Sequence, residues 1–335
     1  MTVINGSAIS WADLKNTLNL DGSAAMIIDT IGLSCPVANS STVIEGSANN
    51  GNLVVQTASK ATAHRRSYNK GVAIGKSAVI RKFDECCMYE ANTEADIRLL
   101  EKYPSKEIFM TGQEKAQIAA MTEDFEESFF YGNSQIDISS FDGLATRYKT
   151  ISTTKTNPGY QIVSCGGGTN LSSIYLVGWG DSGFNLFYPK GSKAGVDRIV
   201  NPQQRINDSD GNPLYAYCVN DNWQVGLTVQ NYRQGGRIAN IDMNALASYG
   251  SSSDTAPDLF RKVATLKNRI QHQNGFKFCW YCSENVFTIL ECMAKDKSNV
   301  MLSLAEQMGG MAQLLLNGWP VYLSDKISED EDQVS

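Results

Sequence analysis

Eight cysteines and two histidines bound the covalent chemistry open to this chain. The tightest constellation is Cys279-Trp280-Tyr281-Cys282. A structural zinc site needs a second such pair or a histidine pair at matching spacing. Cys86-Cys87 does not supply it, because neighbouring residues of a strand point to opposite faces. A redox Cys-x-x-Cys works at a helix N-terminus that lowers the thiol pKa, whereas this pair lies within 276–282, an apolar and aromatic run that reads as a strand. Buried core thiols are the simpler reading. An α/β enzyme with Cys279 or Cys282 as nucleophile is the competing expectation. His64 stands in the basic run His64-Arg65-Arg66, and His272 in Gln271-His272-Gln273 at the end of an expected helix. No G-x-S-x-G elbow accompanies either, so both read as solvated side chains.

Two further patterns have the look of ligand loops without their closing residues. Cys165-Gly166-Gly167-Gly168-Thr169 follows a strand-like stretch, but no Lys-Ser/Thr closes it and no helix follows. It reads as a flexible connection. Asp208-Ser209-Asp210-Gly211-Asn212 resembles the start of a calcium loop, but Val219 stands where the bidentate Glu is required. A hairpin turn between Ile206 and Leu214 accounts for it better. No catalytic residue, cofactor or metal site is expected, which moves weight toward a structural or interaction protein.

Composition agrees with that direction. The chain has 335 residues, 42% hydrophobic and 19% charged, with formal net charge −6. It is long enough for a substantial core in two or so domains and too apolar to be disordered. No run of about 18 apolar residues predicts a membrane span, and the N-terminus has neither the basic start nor the apolar run of a secretory leader. The cysteines are therefore expected to be reduced. Net negative charge argues against a nucleic-acid binder acting through overall charge.

The elements that would position any function are unusual. Residues 7–31 read as an arm with short helices over 11–18, capped by Ser10, and 24–31. Between Gly46 and Phe83 there is no acidic residue, while Lys60, Arg65, Arg66, Lys70, Lys76, Arg81 and Lys82 are basic. Strand-like stretches over 52–57 and 72–83 flank a polar middle. This predicts a long two-stranded excursion: about 20 residues per strand would reach roughly 65 Å. Such a ribbon has too few apolar anchors to be stable alone and must lie on its own body or on another molecule.

From Ser105, a good N-cap, to Tyr131 the spacing predicts a helix with Ile118, Met121, Phe125 and Phe129 on one stripe. About 27 residues make a rod of roughly 40 Å. Glu123, Asp124, Glu126 and Glu127 read as its acidic, solvated far face. Strand signals then fill 160–245, over 173–179, 184–188, 214–219 and 223–232, with a turn at Asp221-Asn222. A helix over 254–273, capped by Asp254, carries the stripe Leu259, Val263, Leu266 and Ile270. A second over 284–295 turns Val286, Leu290 and Met293 inward, and 319–323 is a last strand. The acidic tail 329–332 is expected to fray.

Arm, long hairpin, long helix and α/β sandwich follow one another in that order. The order, with Phe141-Asp142-Gly143-Leu144-Ala145-Thr146-Arg147-Tyr148 after the helix and Asn317-Gly318-Trp319-Pro320-Val321 followed by Asp325 near the end, resembles the major capsid proteins of tailed bacteriophages, the Hong Kong 97-type capsid fold. The resemblance covers essentially the whole chain. It implies an α+β fold with an N-terminal arm at 1–44, an extended E-loop hairpin at 45–92 and a peripheral domain with the long spine helix at 93–150. An axial domain would span 151–320, sending strands back to the peripheral domain, and 321–335 would hold the last strand's end and the acidic tail.

It further implies a non-enzymatic shell subunit forming hexamers and pentamers of an icosahedral head around double-stranded DNA. The expected locations are the virion and, before assembly, the host cytoplasm. Its partners would be other copies of itself, a portal protein and a decoration protein, with weak DNA contact and no membrane. The expected subunit interface sets Arg65, Arg66, Lys70, Lys76, Arg81 and Lys82 of one copy against Glu123, Asp124, Glu126 and Glu127 of another, a complementarity that steers assembly and fixes register more than it adds affinity.

Overall fold

The computed structural model describes residues 35–59, 61–102, 106–207, 211–250, 255–295, 302–306 and 312–335. The arm helices over 11–18 and 24–31, the caps at Ser105 and Asp254, Lys60 and the turn residues 208–210 lie outside the described residues. Strands and helices mix in an α+β arrangement. In chain order the first strands are β1 (Val43–Glu45), β2 (Gly51–Ser59), β3 (Ala78–Glu85), β4 (Cys87–Asp96), β5 (Ile162–Ser164), β6 (Leu171–Trp179) and β7 (Phe184–Tyr188). After them come β8 (Val196–Asn207), β9 (Pro213–Val229), β10 (Gly235–Asp242), β11 (Lys277–Cys282), β12 (Leu302–Glu306), β13 (Ala312–Leu316) and β14 (Trp319–Leu323). The helices used below are α1 (Lys106–Tyr131), α2 (Leu144–Arg147), α3 (Leu259–Arg269) and α4 (Glu284–Lys295). The chain divides into a smaller unit, residues 88–125 and 193–224, and a larger one, residues 36–87, 126–192 and 225–335.

In the larger unit a central sheet runs β12-β13-β14-β11-β6-β10-β5, with β11 and β10 antiparallel to β6 on its two sides. β6 is buried along its whole length, so both its faces must be covered. Alternation sends Ile174 and Leu176 to one face and Tyr175 and Trp179 to the other. On the first face α3 and α4 supply the predicted stripes: Leu259, Val263, Leu266, Val286, Leu290 and Met293 join Phe278, Trp280 and Val321 in one buried cluster. On the second, the C-terminal turns of α1 lay Phe129 against Trp179 with ring centroids 5.8 Å apart and Phe130 against Tyr175 at 5.3 Å. Aromatic pairs at such distances add to the area they bury.

In the smaller unit β8, β9 and β4 form a sheet against α1. Ala95, Leu100, Met110 and Val219 make its small core, beside the aromatic trio Tyr89, Phe125 and Trp223, whose closest centroids are 4.8 Å apart.

Several expectations are corrected. Asp221-Asn222 makes no turn: β9 is one strand of 17 residues, with Asp221 and Asn222 paired to Arg198 and Asp197 of β8. A cross-strand partner overrides local turn preference. α3 begins at Leu259, because the Asp258 carboxylate accepts the Arg261 amide at 3.0 Å and thereby caps it. The ladder of the long hairpin is shorter than the strand-like stretches suggested, since β3 starts only at Ala78. On α1, Met121, Phe125 and Phe129 are buried as expected but Ile118 is 39% exposed.

The acidic tail is docked, not frayed. Glu331 bridges to Leu171 through its backbone, and its side chain is almost fully buried in an ion pair with Arg237 at 2.9 Å. The same carboxylate accepts from the Tyr131 hydroxyl at 2.6 Å, the Tyr175 hydroxyl at 3.2 Å and the Ser173 hydroxyl. Burial first, and then the neighbouring phenol and carboxylate, hold the Tyr131 phenol well above its ordinary pKa, so it stays a donor. Farther along, Val334 exchanges two 2.8 Å hydrogen bonds with the Asn240 side chain. Removing one member of a buried ion pair strands the other, at a cost of about 3–5 kcal/mol. Glu331→Ala is therefore expected to lower the unfolding free energy by that amount, read from the denaturant midpoint at unchanged slope; an unaltered midpoint would show the tail to be dispensable.

Candidate assembly interface

Every basic residue of the expected interface lies on or beside the hairpin β2–β3, so its construction decides what it can do. The ladder runs from Gly51↔Glu85 to Ser59↔Ala78. Alternation divides its root into two faces. One face is pinned to the chain's own body by polar contacts. The Asn52 amide donates to Thr228 Oγ1 at 3.0 Å, and the Gln56 amide to the carbonyls of Val229 and Gln230 at 2.9 and 3.0 Å. Lys82 Nζ reaches the Tyr232 hydroxyl at 2.9 Å and lies 4.4 Å from that ring's centre. On the other face Leu53, Val55, Val79 and Phe83 are 45–63% exposed, a row of apolar side chains that the chain itself covers only in part.

The deepest pin is Asp84. Its carboxylate pairs with the Arg147 guanidinium at 3.0 Å, both side chains more than nine-tenths buried. Arg147 also donates from Nε to the Asp142 carbonyl at 2.8 Å and from Nη2 to the Leu227 carbonyl at 2.9 Å. Burial opposes the charge on Arg147, and Asp84 together with Tyr232 and Asp142 more than offsets it, so the guanidinium is held charged.

This explains the Gly143–Tyr148 motif physically. Gly143 packs where a Cβ would lie 2.6 Å from the Ser128 carbonyl and 2.8 Å from the Gly132 amide nitrogen. Only glycine lets the chain turn so close to the end of α1. The next four residues, α2, end at Arg147, and the buried Tyr148 donates its hydroxyl to the Tyr232 carbonyl at 2.8 Å. The role of Asp84 was not foreseen. Its one signal in the sequence is that it is the first acid after the acid-free stretch.

Beyond the ladder, residues 61–77 are all exposed and form no sheet. The Lys70 amide donates to the Ser67 carbonyl at 3.3 Å, Asn69 takes φ 63° and Arg66 Nε donates to the Lys70 carbonyl at 2.8 Å, which closes the tip. Opposite runs stay side by side, since a Cβ on Gly75 would come 2.7 Å from the Thr62 carbonyl. Tyr68 and Ile74 are fully exposed there. Among the described residues, Arg65, Arg66, Lys70, Lys76 and Arg81 form no ion pair; Lys82 is engaged by Tyr232.

On α1, Asp124 and Glu127 are exposed and Glu123 is half-buried. Glu126 is not on that face: it is 6% exposed and accepts the Ser324 hydroxyl at 2.6 Å. A residue every 100° places position 126 on the packed side that Phe129 and Phe130 also occupy. Glu126 therefore belongs to the core contacts of its own chain.

The geometry is unfavourable to cysteine chemistry. Cys279 and Cys282 lie on one strand three residues apart, hence on opposite faces of the sheet. Burial pushes the Cys279 thiol up to about 11 and Cys282 higher still. A nucleophilic cysteine needs the opposite shift. Cys165, on the connection after β5, is likewise pushed up to about 11 by burial. Among the described residues no group of three or more His, Cys, Asp or Glu could hold a metal ion.

The model of the family described as major capsid protein GP7 matches residues 19–335. No curated protein matches the sequence. Among solved structures, the bacteriophage Epsilon15 structure is similar over 100% of this chain and 99% of its own, with TM-score 0.78 and 20% identity, which shows a shared fold. The capsid of bacteriophage JBD30 is similar over 88% of this chain and 93% of its own, with TM-score 0.48 and 10% identity.

Two outcomes test this reading. Asp84→Ala should destabilise the chain by about 3–5 kcal/mol by stranding Arg147, and adding Arg147→Met should recover much of that loss; additive losses in the double-mutant cycle would deny the coupling. In the folded chain Cys279 and Cys282 should react with a thiol reagent near neutral pH only as fast as the chain opens. A rapid stoichiometric phase at either residue would restore the enzyme reading.

Proposed function

The chain belongs to the major capsid protein GP7 family, a structural subunit of the virion and not an enzyme, and from that premise we propose that it builds hexamers and pentamers of an icosahedral phage head around double-stranded DNA. In this reading residues 1–44 act as the arm, 45–92 as the E-loop, 93–150 as the peripheral part with its spine helix and 151–320 as the axial part, and 321–335 finish the last strand and seal the body. A portal protein and a decoration protein are its further partners, and the host cytoplasm is where it folds before assembly.

One observation supports the mechanism most directly: the hairpin is anchored on one face by its own body and left bare on the other. Its tip carries Arg65, Arg66 and Lys70 without a counter-charge in the described residues, beside exposed Tyr68 and Ile74. A second copy supplies both missing complements, apolar cover and the acids Glu123, Asp124 and Glu127. Each exposed ion pair contributes only about 0–1 kcal/mol. Closed-lattice repetition multiplies them, because each contact raises the effective concentration for the next. With a net charge of −6, the subunit is suited to enclosing DNA with weak contact rather than binding it tightly.

Reversing Arg65, Arg66 and Lys70 to Glu should leave a folded, soluble chain with an unchanged denaturation midpoint that no longer yields shells in electron micrographs. Particles at normal yield from the triple variant would refute the docking mechanism.

A further inference from the structure

The smaller unit holds a charge imbalance unrelated to the hairpin. Arg198 on β8 stands directly across the ladder from Asp221 on β9, yet its guanidinium turns to Glu114 on α1, with Nη2 2.5 Å from Oε1. Glu114 is 5% exposed and Asp221 1%. Among the described residues neither buried Asp221 carboxylate oxygen has a hydrogen-bond partner, and Glu114 Oε1 has only the ionic contact. Two buried carboxylates thus face one guanidinium that is itself half-exposed. Fully ionised, they leave an uncompensated buried negative charge, which a protein does not sustain without a proton or a cation.

The described neighbouring elements do not repair the imbalance. From β4 the inward positions are Tyr89, Ala91, Thr93 and Ala95; Thr93 donates to Gln117 on α1, and the β4 carboxylates Glu90, Glu94 and Asp96 alternate to the other face. From β9, Val219 and half-buried Tyr217 pack into the core. On the helix Lys115 points to solvent, and Arg98 nearby is exposed and paired to Glu101. At 1% exposure Asp221 is out of reach of a side chain from another molecule. A proton is the smallest group that fits.

We propose that Glu114 carries a proton in the folded chain, buried beside an Asp221 carboxylate that has no hydrogen-bond partner among the described residues, making the smaller unit an acid-strengthened element whose cohesion falls as pH rises. Burial lifts the Glu114 carboxyl above its ordinary pKa; Arg198 counters this and Asp221 adds to it. The sign follows. A carboxyl whose pKa is raised on folding gives stability that is complete below its unfolded pKa and is lost as pH climbs through the folded one. A head built on this unit would cohere better in mild acid than in mild base.

The test is denaturant unfolding of the full chain from about pH 5 to about pH 8, followed by hydrogen exchange in peptides covering 213–224. The parent should lose stability across that range, with exchange rising in β9. Glu114→Gln, isosteric with the protonated acid, and Asp221→Asn, which removes the neighbouring charge that opposes ionisation of Glu114, should flatten the profile and match or exceed the parent at the alkaline end. Parallel profiles for parent and variants overturn the proposal. So does a parent stabilised at the alkaline end by added calcium or magnesium but not by acid, which would make the pair a cation site. If neither variant folds, the isosteric premise fails and the proposal with it.

Discussion

The hairpin's direction depends on one buried contact, Asp84 with Arg147. A buried ion pair is weak evidence for stability, because desolvation consumes most of the Coulombic gain. Its use here is geometric. Arg147 spends its remaining donors on the carbonyls of Asp142 and Leu227, so the guanidinium plane is fixed at two places before Asp84 meets it. Asp84 Oδ2 in turn accepts the Val229 amide at 3.3 Å. The strand that leaves the body at Glu85 therefore leaves it at one angle. In the proposed docking role the hairpin needs that constraint more than it needs affinity.

Around that pin the hairpin divides its labour by strand alternation alone. Asn52, Gln56, Lys82 and Asp84 use polar contacts to hold one face, while Leu53, Val55, Val79 and Phe83 present the other. A root held by apolar burial would have hidden that second row. Seven basic residues without an acid over 46–83, in a chain of net charge −6, concentrate the opposite charge on the rest of the molecule. Such separation favours head-to-tail association over self-docking. It acts mainly on encounter and register, as charged rims generally do.

The legible parts of the sequence were those governed by local periodicity. Val286, Leu290 and Met293, or Leu259, Val263 and Leu266, declare a helix face because their partner is the whole sheet and any apolar surface will do. The strand read over 276–282 is present as β11, and the two-stranded excursion is present with a ladder that keeps 51–59 and 78–85 of its expected length. What escaped was decided by one distant partner each. Asp221-Asn222 reads as a turn until Arg198 and Asp197 pair with it across β8. Glu126 reads as solvated until Ser324 meets it, 198 positions away. Glu331 sits in a run of acids that looks like a solvated tail, and only the sheet face with Ser173, Tyr175 and Arg237 makes it a core residue. The exposure of Arg65, Arg66, Lys70 and Lys76 was legible because its signal is an absence of acids over a long stretch; the placement of the helix acids was blurred because charge on a helix does not reveal which way each side chain faces.

Asp84–Arg147 and Glu331–Arg237 share a design that the smaller unit lacks. In each, a guanidinium meets one carboxylate and places further donors on carbonyls or hydroxyls, so no charge and little hydrogen-bonding capacity is left over. Both join segments far apart in sequence, β3 to the motif after α1, and β10 to the tail. Both therefore specify tertiary register where apolar packing alone would tolerate slippage. Glu114, Asp221 and Arg198 break the pattern by one negative charge, in a unit whose apolar core is only a few residues wide. With less apolar area to offset the cost of a buried charge, that unit is where ionisation has the greatest leverage on cohesion.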